Sequence, residues 1–227
     1  MTAIEERIPH YDGLADWYDQ HNAATAHADR DPLLELLGPG DGLCLDLGCG
    51  TGQHLGTLRA SGRSVVGLDF SADQLRLARR RVVGGEALVR SDAAALPFRD
   101  GVFDAVATLW LSSDVDEFAG VVREAARVLR PGGVLVYYGV HPCFNGPHTE
   151  MRDDGARVVH PSYRAAGWSR PESQWREGGV RQRLGGRHVP LADLLNAFAD
   201  AGLRITRVSE ARNEPVPRAL GLRGEKL

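Results

Sequence analysis

Along the first two-thirds of the chain, short apolar runs that end in turn residues alternate with stretches of helical spacing. This pattern is the signature of βα units feeding a parallel sheet. The runs predict strands at Leu43 to Leu47, Ser64 to Asp69, Ala87 to Arg90, Phe103 to Leu109 and Val134 to Val140. Between them the spacing predicts helices at Gln53 to Ala60, Ser71 to Arg81 and Val115 to Leu129. The last carries Val115, Phe118, Val121, Val122, Ala125, Val128 and Leu129 on one face and is stopped by Arg130-Pro131-Gly132-Gly133. Right-handed crossovers through such helices give an open, doubly wound sheet. From His141 to about His188 the periodicity fails and Pro, Gly, His, Trp and Arg dominate. Connections longer than about 12–15 residues in a compact domain are usually lids or binding loops, so 141–187 reads as an insertion over a site. Regular structure then resumes. Pro190 to Ala201 predicts a helix with Leu191, Leu194, Leu195 and Phe198 on one face, closed by Gly202, and Leu203 to Ser209 predicts a strand. Pro215 to Leu222 predicts a final strand antiparallel to its neighbour, confined by its prolines to a sheet edge or a strand start.

Composition narrows the class without naming a function. The 227 residues are 43% apolar and 25% charged, which fits one globular domain over 1–227 with an N-terminal cap at 1–32 and the lid at 141–187. A formal charge of −3 gives the chain no general attraction for a phosphate backbone or an anionic membrane, so neither nucleic acid nor membrane is expected as a partner. The arginines at 76, 79, 80 and 81 sit at the end of a predicted helix, where cations suit the dipole. The start MTAIEERIPHYDG has no apolar signal region, and no run approaches the ~18 apolar residues of a span. Three cysteines, Cys44, Cys49 and Cys143, fit a reducing compartment better than a disulfide framework. The expectation is a cytoplasmic protein. No cluster offers an octahedral oxygen site, so no metal is expected.

Of the 27 glycines, three carry chemistry. In Leu43-Cys44-Leu45-Asp46-Leu47-Gly48-Cys49-Gly50-Thr51-Gly52 an apolar strand runs through an acidic residue into alternating glycines that open a helix. Glycine there lets the backbone turn sharply and approach a ligand. A dinucleotide fingerprint fits poorly, because counting from Gly48 its third glycine position is Gln53. Asp46 repels a pyrophosphate and suits a ligand bearing an ammonium group. Asp69 closes the next strand, placed to accept hydrogen bonds from ribose hydroxyls. Asp92 follows the third strand, in reach of an adenine amino group. One such aspartate is usually a cap or turn residue, but three at successive strand ends beside a glycine loop point to an adenosine site.

The segments LDLGCGTG, VVGLDFS, SDAAALPF, FDAVATL and ARVLRPGGVLV, in that order, resemble the class I S-adenosylmethionine-dependent methyltransferases, in the small-molecule branch that includes the ubiquinone and menaquinone enzymes. The likeness covers about residues 10–140. It implies a Rossmann-like, doubly wound, mostly parallel seven-stranded sheet with a C-terminal antiparallel strand, and S-adenosyl-L-methionine as cofactor. It further implies that Asp46, Gly48 and Gly50 hold the methionine end, Asp69 the ribose, and Asp92 and Ala93 the adenine, with Cys49 and Phe70 also in the cofactor site. Leu109 would line the pocket and Tyr18 would close over the cofactor.

The acceptor implied is a small, aromatic or quinone-like molecule methylated at O or C. The alternatives are a cofactor-binding protein of this fold without methyl transfer, or an RNA or protein methyltransferase. The latter is disfavoured by charge and by Leu109-Trp110-Leu111-Ser112 where base-amino enzymes resemble one another in an Asn/Asp-Pro-Pro-Tyr/Phe sequence. His141, just after the fifth strand, is the expected general base. Trp17, Trp110, His148, Tyr163 and Trp168 are expected to line the acceptor site, in a lid that also holds His160 and Trp175. Ser112, Ser113, Asp114 and Asp116 read as caps of the following helix. Whether the chain forms a homodimer is left open by the sequence.

Overall fold

The computed structural model describes residues 10–165, 167–169, 179–210 and 215–227. The predicted Trp175 and the first nine residues of the N-terminal cap lie outside the described residues. In chain order the sheet strands are β1 (Leu43–Leu47), β2 (Ser64–Asp69), β3 (Ala87–Arg90), β4 (Phe103–Leu109) and β5 (Leu129–Val140). The short ribbon strands β6 (Thr149–Met151), β7 (Arg157–Val159), β8 (Trp168–Ser169) and β9 (Gly186–Arg187) follow, then β10 (Leu203–Glu210) and β11 (Ala219–Lys226). The helices are α1 (Ala15–Ala28), α2 (Arg30–Leu37), α3 (Leu55–Arg59), α4 (Ala72–Ala78), α5 (Phe118–Val128), α6 (Val180–Leu184) and α7 (Leu191–Asp200).

Seven strands form one sheet in the order β10-β11-β5-β4-β1-β2-β3. The β1/β2, β2/β3, β1/β4 and β4/β5 pairs are parallel, and β11 lies antiparallel between β5 and β10. The expected seven-stranded, doubly wound architecture is therefore present. The strand order reverses between β1 and β4, which opens a crevice at their carboxyl ends, the usual ligand position in such sheets.

Both faces of the sheet are covered, so its strands are apolar on alternate sides. In β5, Leu135 and Tyr137 pack with Phe118, Val121, Val122 and Ala125 of α5 and Phe198 of α7. Val134, Val136 and Tyr138 face the opposite layer with Leu33, Leu36 and Leu37 of α2 and Leu55 and Leu58 of α3. Each of these leucines is fully buried and contributes about 1.5–3 kcal/mol over an exposed position.

Three boundaries differ from expectation for local reasons. β5 begins at Leu129: that residue pairs with Phe103, and pairing resumes at Val134 with Ala105, so Arg130-Pro131-Gly132-Gly133 bulges out of register, with Gly132 at φ +74°. The final strand is Ala219–Lys226 rather than Pro215 to Leu222, because the prolines precede the ladder, and it lies inside the sheet while β10 forms the edge. α5 starts at Phe118 with Glu117 as its N-cap residue and no side-chain cap, so Ser112, Ser113, Asp114 and Asp116 do not cap it. Ser71 does cap α4, its Oγ accepting from the Gln74 N–H at 3.1 Å.

Candidate active site

The loop after β1 takes φ values of +78° at Gly48 and +53° at Gly50, backbone that favours glycine. A Cβ at Gly48 would also lie 2.8 Å from the Leu111 side chain. The loop is tied to β2 through backbone: Gly48 and Cys49 both donate to the Leu68 carbonyl, at 2.8 and 2.9 Å. Asp69 completes the tie, one carboxylate oxygen accepting from the Gly50 N–H at 2.8 Å and the other from the Ser71 N–H at 2.9 Å. Burial pushes the Asp69 carboxyl up to about 6, against the pull of those two donors. Burial, with the nearby Asp69 charge, pushes Asp46 up to about 7.

These residues border a cavity of about 560 Å³ at the carboxyl ends of β1, β2 and β4. Its wall includes Gly48, Gly50, Asp69, Phe70, Asp92 and Ala93. Leu109, Trp110 and Tyr18 close it from β4 and α1. Asp46 and Cys49 are buried beside the glycine loop and are not on the wall. Burial raises the Cys49 thiol well above its ordinary value, so it is no nucleophile.

The residues expected on the acceptor side divide differently. Only Trp110 is on the wall. It sits at φ +59°, its backbone N–H donating to the Tyr138 carbonyl at 2.8 Å and its indole N–H to Asp29 Oδ2 at 2.7 Å. Left-handed backbone at a bulky residue is strained and tends to mark functional positions. Trp17 lies outside the wall, stacked on His21, with the Arg183 guanidinium 4.2 Å above its ring. Trp168 stacks on His10 at 4.2 Å, and His10 is the wall residue. Tyr163 and His148 pack against each other and His188 inside the lid, away from the cavity.

The expected base requires correction. His141 is buried and off the wall; its Nδ1 accepts from the Cys143 N–H at 3.2 Å, so Nε2 carries the proton and donates to Glu210 at 3.0 Å. Its backbone N–H donates to the Arg218 carbonyl, 2.8 Å away, just ahead of β11. Insertion of β11 beside β5 draws this strand end toward the C-terminal strands, and no ring nitrogen is free for an acceptor.

Three residues of the cavity wall, Asp114, Tyr11 and Gln74, were not among the expected site residues. Asp114 is on the wall, where Arg181 of α6 makes two hydrogen bonds to its carboxylate, at 2.5 and 2.8 Å. Tyr11 donates to the same carboxylate at 3.1 Å and packs edge-on against Tyr18. Burial holds both tyrosine hydroxyls well above their ordinary range, so they remain protonated donors. Gln74 is on the wall with its buried Oε1 lacking a hydrogen-bond partner. A Ser/Thr N-cap followed by a polar residue three positions on was the available signal for Gln74; nothing local marked Arg181.

Buried acceptors without partners, Asp46 Oδ2 and Gln74 Oε1, flank a glycine cradle and a carboxylate at the end of β2. That donor-poor, acceptor-rich set suits a cationic amino acid joined to an adenosine. A family described as a methyltransferase domain matches residues 45–137. The demethylmenaquinone methyltransferase of Mycolicibacterium gilvum is 32% identical over 219 residues, covering 91% of this chain and 87% of that protein. The chain belongs to the class I S-adenosylmethionine-dependent methyltransferases. S-adenosyl-L-methionine is its cofactor. The demethylmenaquinone methyltransferase of Mycobacterium marinum is 40% identical over 134 residues, 56% of this chain and 55% of that protein. A methyltransferase structure from Mesorhizobium loti shares the fold at a TM-score of 0.67 and 23% identity, over 95% of this chain and 99% of that one. Within this methyltransferase no described helix is long and apolar enough to cross a membrane.

Proposed function

We propose that this methyltransferase transfers the methyl group to oxygen or carbon of a small, aromatic or quinone-like metabolite, acting in the cytoplasm. The observation that carries the reading is the cavity itself: the cofactor half, at Gly48, Gly50 and Asp69, runs without a partition into an apolar half at Leu109, Trp110, Leu111 and Val115. The relatives named demethylmenaquinone methyltransferases support a quinone-like acceptor. Cys44, Cys49 and Cys143 are all unpaired, which supports a reducing compartment.

When bound, the cofactor would supply a methyl group on a sulfonium that an acceptor can displace in line, leaving the neutral thioether of S-adenosylhomocysteine. The chain's own contribution is position and exclusion of water. Asp69 holds the glycine loop and is placed to accept the ribose hydroxyls. Phe70, Ala93 and Leu109 give the adenosine apolar walls, and Trp110 offers the acceptor ring a flat face. Orientation of two bound reactants can supply about 7–11 kcal/mol of the barrier, and the proton that an O- or C-methylated acceptor gives up passes to water.

The test is incubation with methyl-labelled cofactor and a panel of phenols, hydroquinones and naphthoquinols, read by the mass shift of one methyl group. The reading expects label in at least one panel member. Labelling of total RNA or protein with none of the panel, or cofactor binding with no acceptor labelled at all, overturns it.

A further inference from the structure

We infer that Asp114 and Arg181 set the charge class of the acceptor, so that the chamber takes a neutral, hydrogen-bond-donating molecule and rejects an anionic one. The inference rests on the reading of this cavity as the acceptor site and adds to it the rule by which acceptors are chosen. Among the described wall residues there is no lysine or arginine. Three cations off the wall are engaged by carboxylates that belong to it, and a fourth, Arg90, donates to the Phe70 carbonyl at 3.1 Å. Arg181 spans both oxygens of Asp114 and also donates to the Gly185 carbonyl at 3.3 Å. Arg187 meets Asp116 at 3.4 Å, and Arg123 meets Glu117 at 2.9 Å.

The Asp114 pair is the one of the three that is withdrawn from solvent, its side chains 13% and 26% exposed, against 59% for Asp116 and for Glu117. Its geometry has direction. Asp114 lines the cavity and Arg181 does not, so the residue an acceptor meets first is the carboxylate partner of the pair. Asp114 Oδ1 already accepts from Arg181 and Tyr11, whereas among the described residues Oδ2 accepts from Arg181 alone and keeps room for a hydroxyl or amine hydrogen. A carboxylate or phosphate on the acceptor would lose its hydration here and face Asp114 with no cation among the described wall residues to replace the water. An acceptor bearing a full positive charge gains little, because Arg181 already balances Asp114. Specificity by charge therefore lies in an ion pair that joins the sheet, through the turn after β4, to the lid helix α6.

The experiment needs no turnover, so it separates this inference from the proposed reaction. Phenol, benzoate and benzylamine are titrated calorimetrically into protein saturated with S-adenosylhomocysteine. Wild type is expected to bind phenol at least about tenfold tighter than benzoate. Asp114→Asn leaves the Arg181 charge uncompensated and is expected to raise benzoate affinity about tenfold or more, since an interaction with a charged group carries an effect of that size. Arg181→Gln leaves the Asp114 charge unbalanced and should favour benzylamine by a similar factor. The double variant should lose both gains. Retained homocysteine-product binding and a cooperative melt show that each variant folds; where Asp114→Asn does not fold, Arg181→Gln and the double variant decide. Wild type that binds benzoate as tightly as phenol, or folded single variants that gain nothing for their matching probe, would overturn the inference.

Discussion

Replacing Asp69 by Asn separates what this carboxylate costs the fold from what it gives the cofactor. Its carboxyl stands at about 6 in the folded protein, raised by burial from an ordinary 3.8. Because the folded state favours the neutral form, the stability linked to this group is fully present below about pH 3.8 and is lost as pH rises through about 6. At about 1.4 kcal/mol per pH unit, ionised Asp69 costs the apoprotein about 3 kcal/mol at pH 7.5 and under about 1 kcal/mol at pH 4. Asn cannot ionise, but its NH₂ cannot accept from one of the two backbone N–H groups, a cost of about 1–3 kcal/mol at every pH. Relative to wild type, the Asp69→Asn apoprotein should therefore gain about 2–3 kcal/mol between pH 4 and pH 7.5. Binding should move the other way. Loss of a charged acceptor for the ribose hydroxyls should weaken S-adenosylhomocysteine by roughly 10–100-fold at pH 7.5. Urea denaturation at the two pH values and calorimetric titration of the product check both halves. A variant less stable at pH 7.5 by as much as at pH 4 would show that the bonds from Gly50 and Ser71 outweigh burial, and would refute the reasoning.

Asp46, pushed up to about 7 by burial and the Asp69 charge, follows the same sign: Asp46→Asn should raise the apoprotein's melting temperature more at pH 8 than at pH 6, and equal shifts would argue against it. His141→Ala removes a bond to Glu210 and a stack on Phe144, so melting should fall by the equivalent of about 1–3 kcal/mol while turnover per folded molecule stays within twofold; a hundredfold loss of turnover would restore the base assignment. Arg127 donates to the Leu96 and Phe98 carbonyls while held by Glu124 and Asp100, so it pins the loop that follows Asp92. Arg127→Ala should speed hydrogen exchange across residues 91–98 and weaken product binding, and unchanged exchange there would count against that role.

The parallel core was legible because strands covered on both faces read as nearly unbroken apolar runs, and the first two ended at Gly48 and Asp69. β11 was misplaced for the opposite reason. Its Gly221 and Gly224 look like turn residues, yet a Cβ at Gly221 would fall 2.5 Å from Leu36 and one at Gly224 2.8 Å from Phe198. The glycines are there because α2 and α7 press on either side of the strand, a fact of packing that no local pattern carries. α2 was overlooked although Leu33, Leu36 and Leu37 are fully buried, since their partners lie on β5 and β11, about 100 residues and more along the chain.

The same distinction governs the site. Gly48, Gly50, Asp69, Phe70, Asp92 and Ala93 reach the cavity because a strand end and the turn after it are local features, and a parallel sheet carries every such end to one edge. His141 met that criterion too and lies off the cavity wall, its backbone held by Arg218 just ahead of β11 and its ring by Glu210 at the end of β10. A strand end thus predicts the edge of the sheet but not the side on which the next residue points. Asp114 shows the converse. Read locally it is a helix cap; its role comes from Arg181, 67 residues later in a segment without periodicity. Residues that hold a shared cofactor are written next to one another in the sequence, whereas those that select an acceptor are assembled from distant segments. The lid is therefore where relatives of one fold can diverge in substrate while keeping the cofactor half intact, and the charge pairing across it is the first place to look for that divergence.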